Sequence, residues 1–244
     1  MAGTRVSRRR ILVAALLGSA PVIVPSALSK TLSGSIPWIA GTSPAPRGFG
    51  GQRFFTAAER RCVDALVARL IPADELGPGA REAGVVDFID DQLAGPFGRG
   101  ERWYMMGPFA DGLETQGYQS EQPPAGLYRA ALAELDAHCR AHFQDRLFAD
   151  LSEAEQDAIL GRIEGEDLEF AGVSASAFFA LLQETTIEGF FCDPVHGGNR
   201  DMIGWRLVGF PGARYDYRDY LNHNGAAISI EPVGLSGRAA WNVD

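Results

Sequence analysis

The sequence predicts a mainly α-helical protein, with a single compact helical domain, long irregular loops and an extended C-terminal tail. Two capping boxes, Thr56-Ala-Ala-Glu59 and Ser152-Glu-Ala-Glu155, each mark the start of a helix, because the hydroxyl and the carboxylate satisfy backbone N–H groups of the first turn. Apolar residues recur at helical spacing after both boxes, and strand-like alternation is scarce before residue 205. At 244 residues the chain is long enough to bury one substantial core.

The first half of the domain is predicted to contain two helices and a long loop. Behind the first capping box an apolar stripe at helical spacing is formed by Val63, Leu66, Val67 and Leu70, and it stops at Pro72. A second, shorter helix is predicted from Ala83 to Leu93, before Gly95-Pro96. Between Pro96 and Pro124 glycines and prolines are dense, and we expect an irregular loop packed by its own aromatic residues, among them Trp103, Tyr104, Met106, Phe109 and Tyr118.

The second half is predicted to contain three more helices. One runs from Leu127 to about Phe148, and one follows the second capping box through Ile159 and Ile163. Ser174 is expected to cap the third, whose apolar stripe consists of Phe178, Leu181, Leu182 and Thr185 and continues to Ile187, Phe190 and Phe191.

The N-terminus has the pattern of an export signal, which we assign to residues 1–29. A basic head precedes the apolar run from Ile11 to Val24 and small residues follow it, but the run is shorter than the roughly 20 residues that a membrane span needs. Its head resembles the twin-arginine export motif through Ser7, Arg8, Arg9, Ile11 and Leu12. The alternative is an ordinary secretory signal that is rich in arginine. Residues 30–53 are predicted to form a Pro/Gly/Ser-rich arm, 54–220 the helical domain and 221–244 an irregular tail.

Charge and missing motifs exclude several classes of function. The net charge of −9 opposes binding to nucleic acid, and the only lysine, Lys30, lies in the arm, so Schiff-base chemistry and a phosphate-binding loop have no lysine in the domain. The sequence contains neither the GxSxG of serine hydrolases nor the GxGxxG of dinucleotide-binding folds. We therefore expect no cofactor in this chain.

Histidines and cysteines offer weak signals for a site. His138 and His142 lie four residues apart on one helix face, but no HExxH glutamate accompanies them, and we expect them to pack rather than to bind a metal. The three cysteines cannot all pair within the chain, which predicts either an intermolecular disulfide or a buried free thiol. Cys62 is expected to pack as a small apolar residue, and Cys139 and Cys192 are the candidates for an intersubunit bond.

The stretch Glu188–Trp205, EGFFCDPVHGGNRDMIGW, concentrates polar groups in a short run. Asp193, His196, Asn199 and Asp201 could supply ligands for a metal or groups for acid–base chemistry. The structural interpretation is favoured, because His-Gly-Gly-Asn is typical of a tight turn and two arginines can pair with the aspartates. We expect Arg200 and Arg206 to neutralise Asp193 and Asp201 locally.

This run, continued as RLVGFPG to Gly212, resembles the signature of the gluconate 2-dehydrogenase subunit 3 family, and the resemblance extends more weakly to the first helix and its Leu70-Ile-Pro-Ala-Asp74 ending. It implies a non-catalytic, α-helical small subunit of a membrane-associated, FAD-dependent sugar or sugar-acid dehydrogenase. FAD would be bound by a catalytic partner of the glucose-methanol-choline type, and haem c by a multihaem cytochrome subunit. The resemblance further implies that the small subunit helps the flavoprotein to mature and to reach the periplasm through the twin-arginine translocase.

Under this interpretation the motif is a surface that a partner recognises. The interface candidates are aromatic, turn and charged residues, the types from which protein contacts are built: Phe190, Phe191, Asp193, Pro194, His196, Gly197, Gly198, Asn199, Arg200, Asp201, Trp205, Phe210 and Pro211. Two alternatives stay open at this point. One is a metal-dependent periplasmic enzyme that uses Asp193, His196 and Asp201, and the other is a periplasmic binding protein with a pocket between helices.

Overall fold

The computed structural model describes residues 53–110, 112–116, 118, 120–213, 217–222, 225 and 230–235. The export signal with its motif Ser7–Leu12, nearly all of the arm and most of the tail lie outside the described residues. The described part is mainly α-helical and contains no β-strand, which confirms the predicted fold class. None of the helices in this part is both long enough and apolar enough to span a membrane.

Six α-helices form the described domain. They are α1 (Ala57–Leu70), α2 (Val85–Ala94), α3 (Pro124–His142), α4 (Glu153–Glu164), α5 (Ala175–Phe191) and α6 (Ile203–Val208). The central helix is α5, because it packs against each of the other five. Its predicted stripe is buried up to Thr185, whereas Ile187 and Phe191 in the predicted continuation are exposed. The Thr185 hydroxyl lies 2.6 Å from the hydroxyl of Tyr128 on α3. This bond satisfies two polar groups inside an otherwise apolar core.

The three predicted helix caps are confirmed, whereas α2 begins at Val85 rather than Ala83 and α3 at Pro124 rather than Leu127. Thr56 and Ser152 form complete capping boxes, and the Ser174 hydroxyl accepts a hydrogen bond from the Ala177 N–H. In the second box, Glu155 also receives a hydrogen bond from Arg146 at 2.8 Å. This bond, with the N–H and hydroxyl of Ser152, lowers the pKa of Glu155 to about 2.

Two predictions about the loops need correction. Helix α3 ends at His142 rather than near Phe148, because Gln144 and Asp145 have φ angles of 57° and 61° that a right-handed helix cannot contain. The loop after α2 is packed by its aromatic residues only in part. Trp103 contacts Phe97 and Tyr118, with ring centroids 5.7 and 4.5 Å away, whereas Tyr104 is 82% exposed, and Met106 and Phe109 are also exposed.

A buried carboxylate fixes the chain just before α1. Asp90 on α2 is only 2% exposed, and its oxygens accept hydrogen bonds from three consecutive backbone N–H groups, those of Arg53 (2.7 Å), Phe54 (3.1 Å) and Phe55 (2.8 Å). Sequence reasoning missed this role. The signal was an aspartate one helical turn after the buried Val86, on the apolar face of an amphipathic helix.

Candidate functional site: the C-terminal motif

The motif begins where α5 ends and reverses the chain direction within a few residues. Asp193 caps a short 3₁₀ turn at Pro194–His196 by accepting a hydrogen bond from the Val195 N–H at 3.0 Å. Gly197 follows with a φ of 100°, a conformation that glycine adopts without strain. The predicted tight turn is therefore present.

Asn199 holds this turn against the two helices that flank it. It is completely buried and lies in the left-handed region at φ 44°. Its backbone N–H donates to the Gly189 carbonyl, its Nδ2 donates to the Cys192 carbonyl, and its Oδ1 accepts from the Gly204 N–H, each at 2.8 Å. One side chain thus joins the end of α5 to the start of α6, and asparagine suits the position because it tolerates positive φ.

Two glycines allow the backbones to approach closely at this point. A Cβ atom on Gly198 would lie 2.1 Å from the Gly189 carbonyl oxygen, and one on Gly204 would lie 2.1 Å from that of Phe190. Side chains at either position would force the turn and α6 away from α5. Gly198 and Gly204 are therefore explained by close packing, whereas Gly197 is explained by its positive φ.

Trp205 anchors α6 to the end of α5. Its Nε1 donates to the Phe191 carbonyl at 2.7 Å, its ring packs edge-on against Phe210 with 5.2 Å between centroids, and only 6% of the residue is exposed. The motif also binds part of the tail. The second carboxylate oxygen of Asp193 accepts from the Leu235 N–H at 2.7 Å, and Gly212 forms a parallel bridge with Val233.

The predicted local ion pairs are wrong. Arg200 pairs with Asp87 on α2 at 2.9 Å, and Arg206 pairs with Glu231 in the tail at 2.9 Å. The Asp193 carboxylate instead accepts hydrogen bonds from two backbone N–H groups, those of Val195 and Leu235. The arginines therefore tie the motif to α2 and to the tail, and the Asp193 carboxylate stabilises the turn that follows α5.

The structure does not assemble the polar residues of the motif into a reactive group. In the described part of the chain, no three His, Cys, Asp or Glu side chains are arranged to hold a metal ion, so Asp193, His196 and Asp201 do not form the site that the enzyme alternative requires. His138 and His142 stack with ring centroids 4.2 Å apart, and burial together with His142 and Arg162 lowers the pKa of His138.

The interface candidates divide into a buried and an exposed set. Buried are Phe190, Gly197, Gly198, Asn199 and Trp205, while Asp193, Pro194, Arg200 and Pro211 are partly exposed and Phe191, His196, Asp201 and Phe210 are exposed. The buried residues act on the surface only through the shape they hold. The exposed ones adjoin further apolar side chains that sequence reasoning did not select: Ile187, Leu207 and Val208.

We call Ile187, Phe191, Leu207, Val208 and Phe210 the C-terminal apolar surface. These side chains are between 37% and 60% exposed and come from the end of α5, from α6 and from the turn after α6. A partner that covered these side chains would remove their apolar area from water.

The candidate cysteines differ in accessibility. Cys139 is fully buried, and burial raises the pKa of its thiol to about 12, so its sulfur would reach a partner only after local opening of α3. Cys192 is partly buried, its Sγ lies 3.4 Å from the Gly189 carbonyl oxygen, and burial raises its pKa to about 11. The intersubunit disulfide stays a prediction.

The fold and the motif together define a helical domain whose polar signature sets backbone geometry and presents an apolar surface. A family model described as "Gluconate 2-dehydrogenase subunit 3" matches residues 57–212, from the first residue of α1 to the glycine that bridges to the tail. The chain belongs to this family. No curated protein and no solved structure matches the chain.

Proposed function

We propose that this chain is the non-catalytic small subunit of an exported, FAD-dependent dehydrogenase complex of the gluconate 2-dehydrogenase type. In this proposal a flavoprotein subunit binds FAD and oxidises the substrate, and a cytochrome subunit with haem c accepts the electrons. The small subunit stabilises the flavoprotein and escorts it through the twin-arginine translocase to the periplasmic side of the membrane. Membership of the subunit 3 family supports the role of a dehydrogenase subunit.

The observation that carries the proposal is the C-terminal apolar surface. Val208 is 60% exposed at the end of α6, and Phe210 is 46% exposed just after that helix. Covering such side chains with a partner removes apolar area from water, which stabilises a complex by about 25 cal/mol for each Å² buried. The turn held by Asn199 gives the surface a fixed shape, so that little ordering is needed on binding.

The escort role rests on the arginine pair of the leader. Arg8 and Arg9 precede Ile11 and Leu12 in the order that the twin-arginine motif requires. A flavoprotein that binds FAD in the cytoplasm must fold there. A companion subunit with this leader would carry the folded flavoprotein across the membrane, so the flavoprotein would need no export signal.

Co-expression tests the subunit role. The chain is expressed with the gene of a neighbouring large flavoprotein, and we expect a yellow complex with the absorption spectrum of FAD. Val208→Glu should lower the recovery of flavoprotein about tenfold, because a charge in the middle of an apolar contact costs more than 1.4 kcal/mol. Leu76→Glu is the matched control, since Leu76 is 74% exposed but follows α1, away from the motif in sequence. Equal recovery from both variants would refute the proposed surface.

A leader variant tests the escort role separately. Replacing Arg8 and Arg9 by lysine should leave both proteins in the cytoplasm, and fractionation with an activity stain would detect this. The wild-type leader serves as the control in the same strain. Unchanged export of the flavoprotein would contradict the escort role and leave the subunit role intact.

A further inference from the structure

One short part of the tail docks on the C-terminal motif. We call residues 230–235 the strap, and they contact the turn after α6 and the turn after α5. Pro232, Val233 and Gly234 in its middle are buried, and Val233 is only 2% exposed. The strap therefore fills a groove that the motif forms.

Backbone hydrogen bonds hold the strap as a sheet holds an added strand. The Val233 N–H donates to the Pro211 carbonyl at 3.2 Å, and the Val233 carbonyl accepts from the Ala213 N–H at 2.7 Å. These two bonds make up the parallel bridge between Val233 and Gly212. Main-chain bonds of this kind give affinity for an extended peptide, and a buried side chain adds specificity.

Three further features of the groove select the segment that fills it. Gly212 has a φ of 76°, and a Cβ atom there would lie 2.2 Å from a carbonyl oxygen of the strap, so glycine is needed for this close approach. Asp193 accepts the Leu235 N–H at 2.7 Å, and Arg206 pairs with Glu231 at 2.9 Å. The groove therefore fits a segment with a buried apolar residue and an acidic residue two positions before it.

The strap can leave this groove without opening the core. Val233 and Trp205 are buried, but neither is among the residues of the main hydrophobic core, whose last fully buried member along the chain is Phe190. Release of the strap would therefore disturb a small separate contact and leave α1 to α5 packed. A few hydrogen bonds and one buried apolar side chain favour docking, and the conformational entropy of the segment opposes it.

From these observations we infer that the C-terminal motif is a peptide-binding groove, and that the strap occupies it as a built-in ligand that another segment of the same pattern can replace. Phe210 of the C-terminal apolar surface immediately precedes Pro211 of the groove. A segment that enters the groove therefore binds next to that surface. The inference concerns this chain alone and does not depend on the proposed dehydrogenase complex.

Peptide binding to the full chain tests the groove. A fluorescein-labelled peptide of residues 228–237 is titrated into wild type and into Val233→Asp, and its fluorescence anisotropy is followed. Val233→Asp puts a charge at a buried position and should release the strap. We expect this variant to bind the peptide at least about tenfold more tightly than wild type, because in wild type the attached strap competes at a high effective concentration.

Two controls distinguish the groove from non-specific binding. Leu235→Ser changes a strap residue that is 45% exposed, and this chain should bind the peptide as weakly as wild type. A peptide that itself carries Val233→Asp should bind the Val233→Asp chain at least about tenfold more weakly than the unchanged peptide. Circular dichroism should show that the Val233→Asp chain keeps the helical content of wild type. Equal peptide binding by wild type and Val233→Asp, equal binding of the two peptides, or loss of the helical fold in Val233→Asp would overturn the inference.

Discussion

Replacing Asn199 by alanine is expected to destabilise the domain more than any other single truncation in the motif turn. The alanine variant leaves the Gly204 N–H and the Cys192 carbonyl without their partner, and both groups lie in the packed junction of α5 and α6. Each lost bond to a buried group costs about 1 to 3 kcal/mol. A non-glycine residue without a polar side chain at positive φ adds about 1 kcal/mol. The total is about 3 to 7 kcal/mol, a large fraction of the stability of an ordinary domain.

Thermal and urea unfolding followed by circular dichroism measure this loss. For a chain of this size 1 kcal/mol corresponds to about 2 to 4 °C, so Tm should fall by at least about 6 °C. His196→Ala is the control in the same turn, because His196 is exposed and its truncation should change stability by no more than about 0.5 kcal/mol. Asn199→Gly separates the two causes, since glycine accepts the φ angle but cannot make the bonds. If the alanine variant were within 1 kcal/mol of His196→Ala, the structural account of the motif would be wrong.

Three further predictions concern packing, pH and thiol chemistry. Gly204→Ala should lower the free energy of unfolding by about 2 kcal/mol through overpacking. Gly161→Ala, with no atom within 4 Å of the new Cβ, should raise it by about 0.5 kcal/mol. Calorimetry measures both changes, and similar effects at the two sites would contradict the close approach at α6. Glu155 has a folded pKa of about 2 against 4.5 for the free side chain, so its stabilisation is complete above pH 4.5 and is lost as pH falls towards 2. The stability difference between wild type and Glu155→Gln, measured by urea unfolding, should therefore shrink over that window, and a constant difference would exclude the cause given. Cys192 should react with Ellman's reagent before Cys62 and Cys139, because only Cys192 is partly exposed, and labelling in another order, read by mass spectrometry, would argue against the described burial.

Local patterns in the sequence predicted α1 to α5, but not the short helix α6 at Ile203–Val208. Capping boxes depend on residues within one helical turn, and the apolar stripes of α1 and α5 indicate the helix face that is buried. Both features can be recognised in the sequence without knowing which helices pack together. The end of α3 was missed because the residues with positive φ are Gln144 and Asp145. Neither is a glycine, the residue that usually indicates this conformation in a sequence. Glutamine and aspartate are not among the residues that mark a helix end in a sequence.

Long-range pairing within the site could not be predicted. Arg200 pairs with Asp87, which is 113 residues away in the sequence. The sequence analysis expected Arg200 to pair locally because aspartates of the motif are close to it in the sequence. The same limit applies to Asp90, whose three partners precede α1. Charge and hydrogen-bonding capacity are evident from residue type, but the partner is chosen by the packing of helices that are far apart in sequence.

The Asp90 carboxylate has a consequence for the order of folding. The amides of residues 53–55 are held by a side chain some 35 residues later, so they can become protected from hydrogen exchange only after α2 has docked beside α1. Exchange at these three amides is therefore a reporter of tertiary assembly rather than of local helix formation. Under the proposed export of the folded chain, residues 53–55, where the arm meets the domain, would be fixed only once α2 has docked.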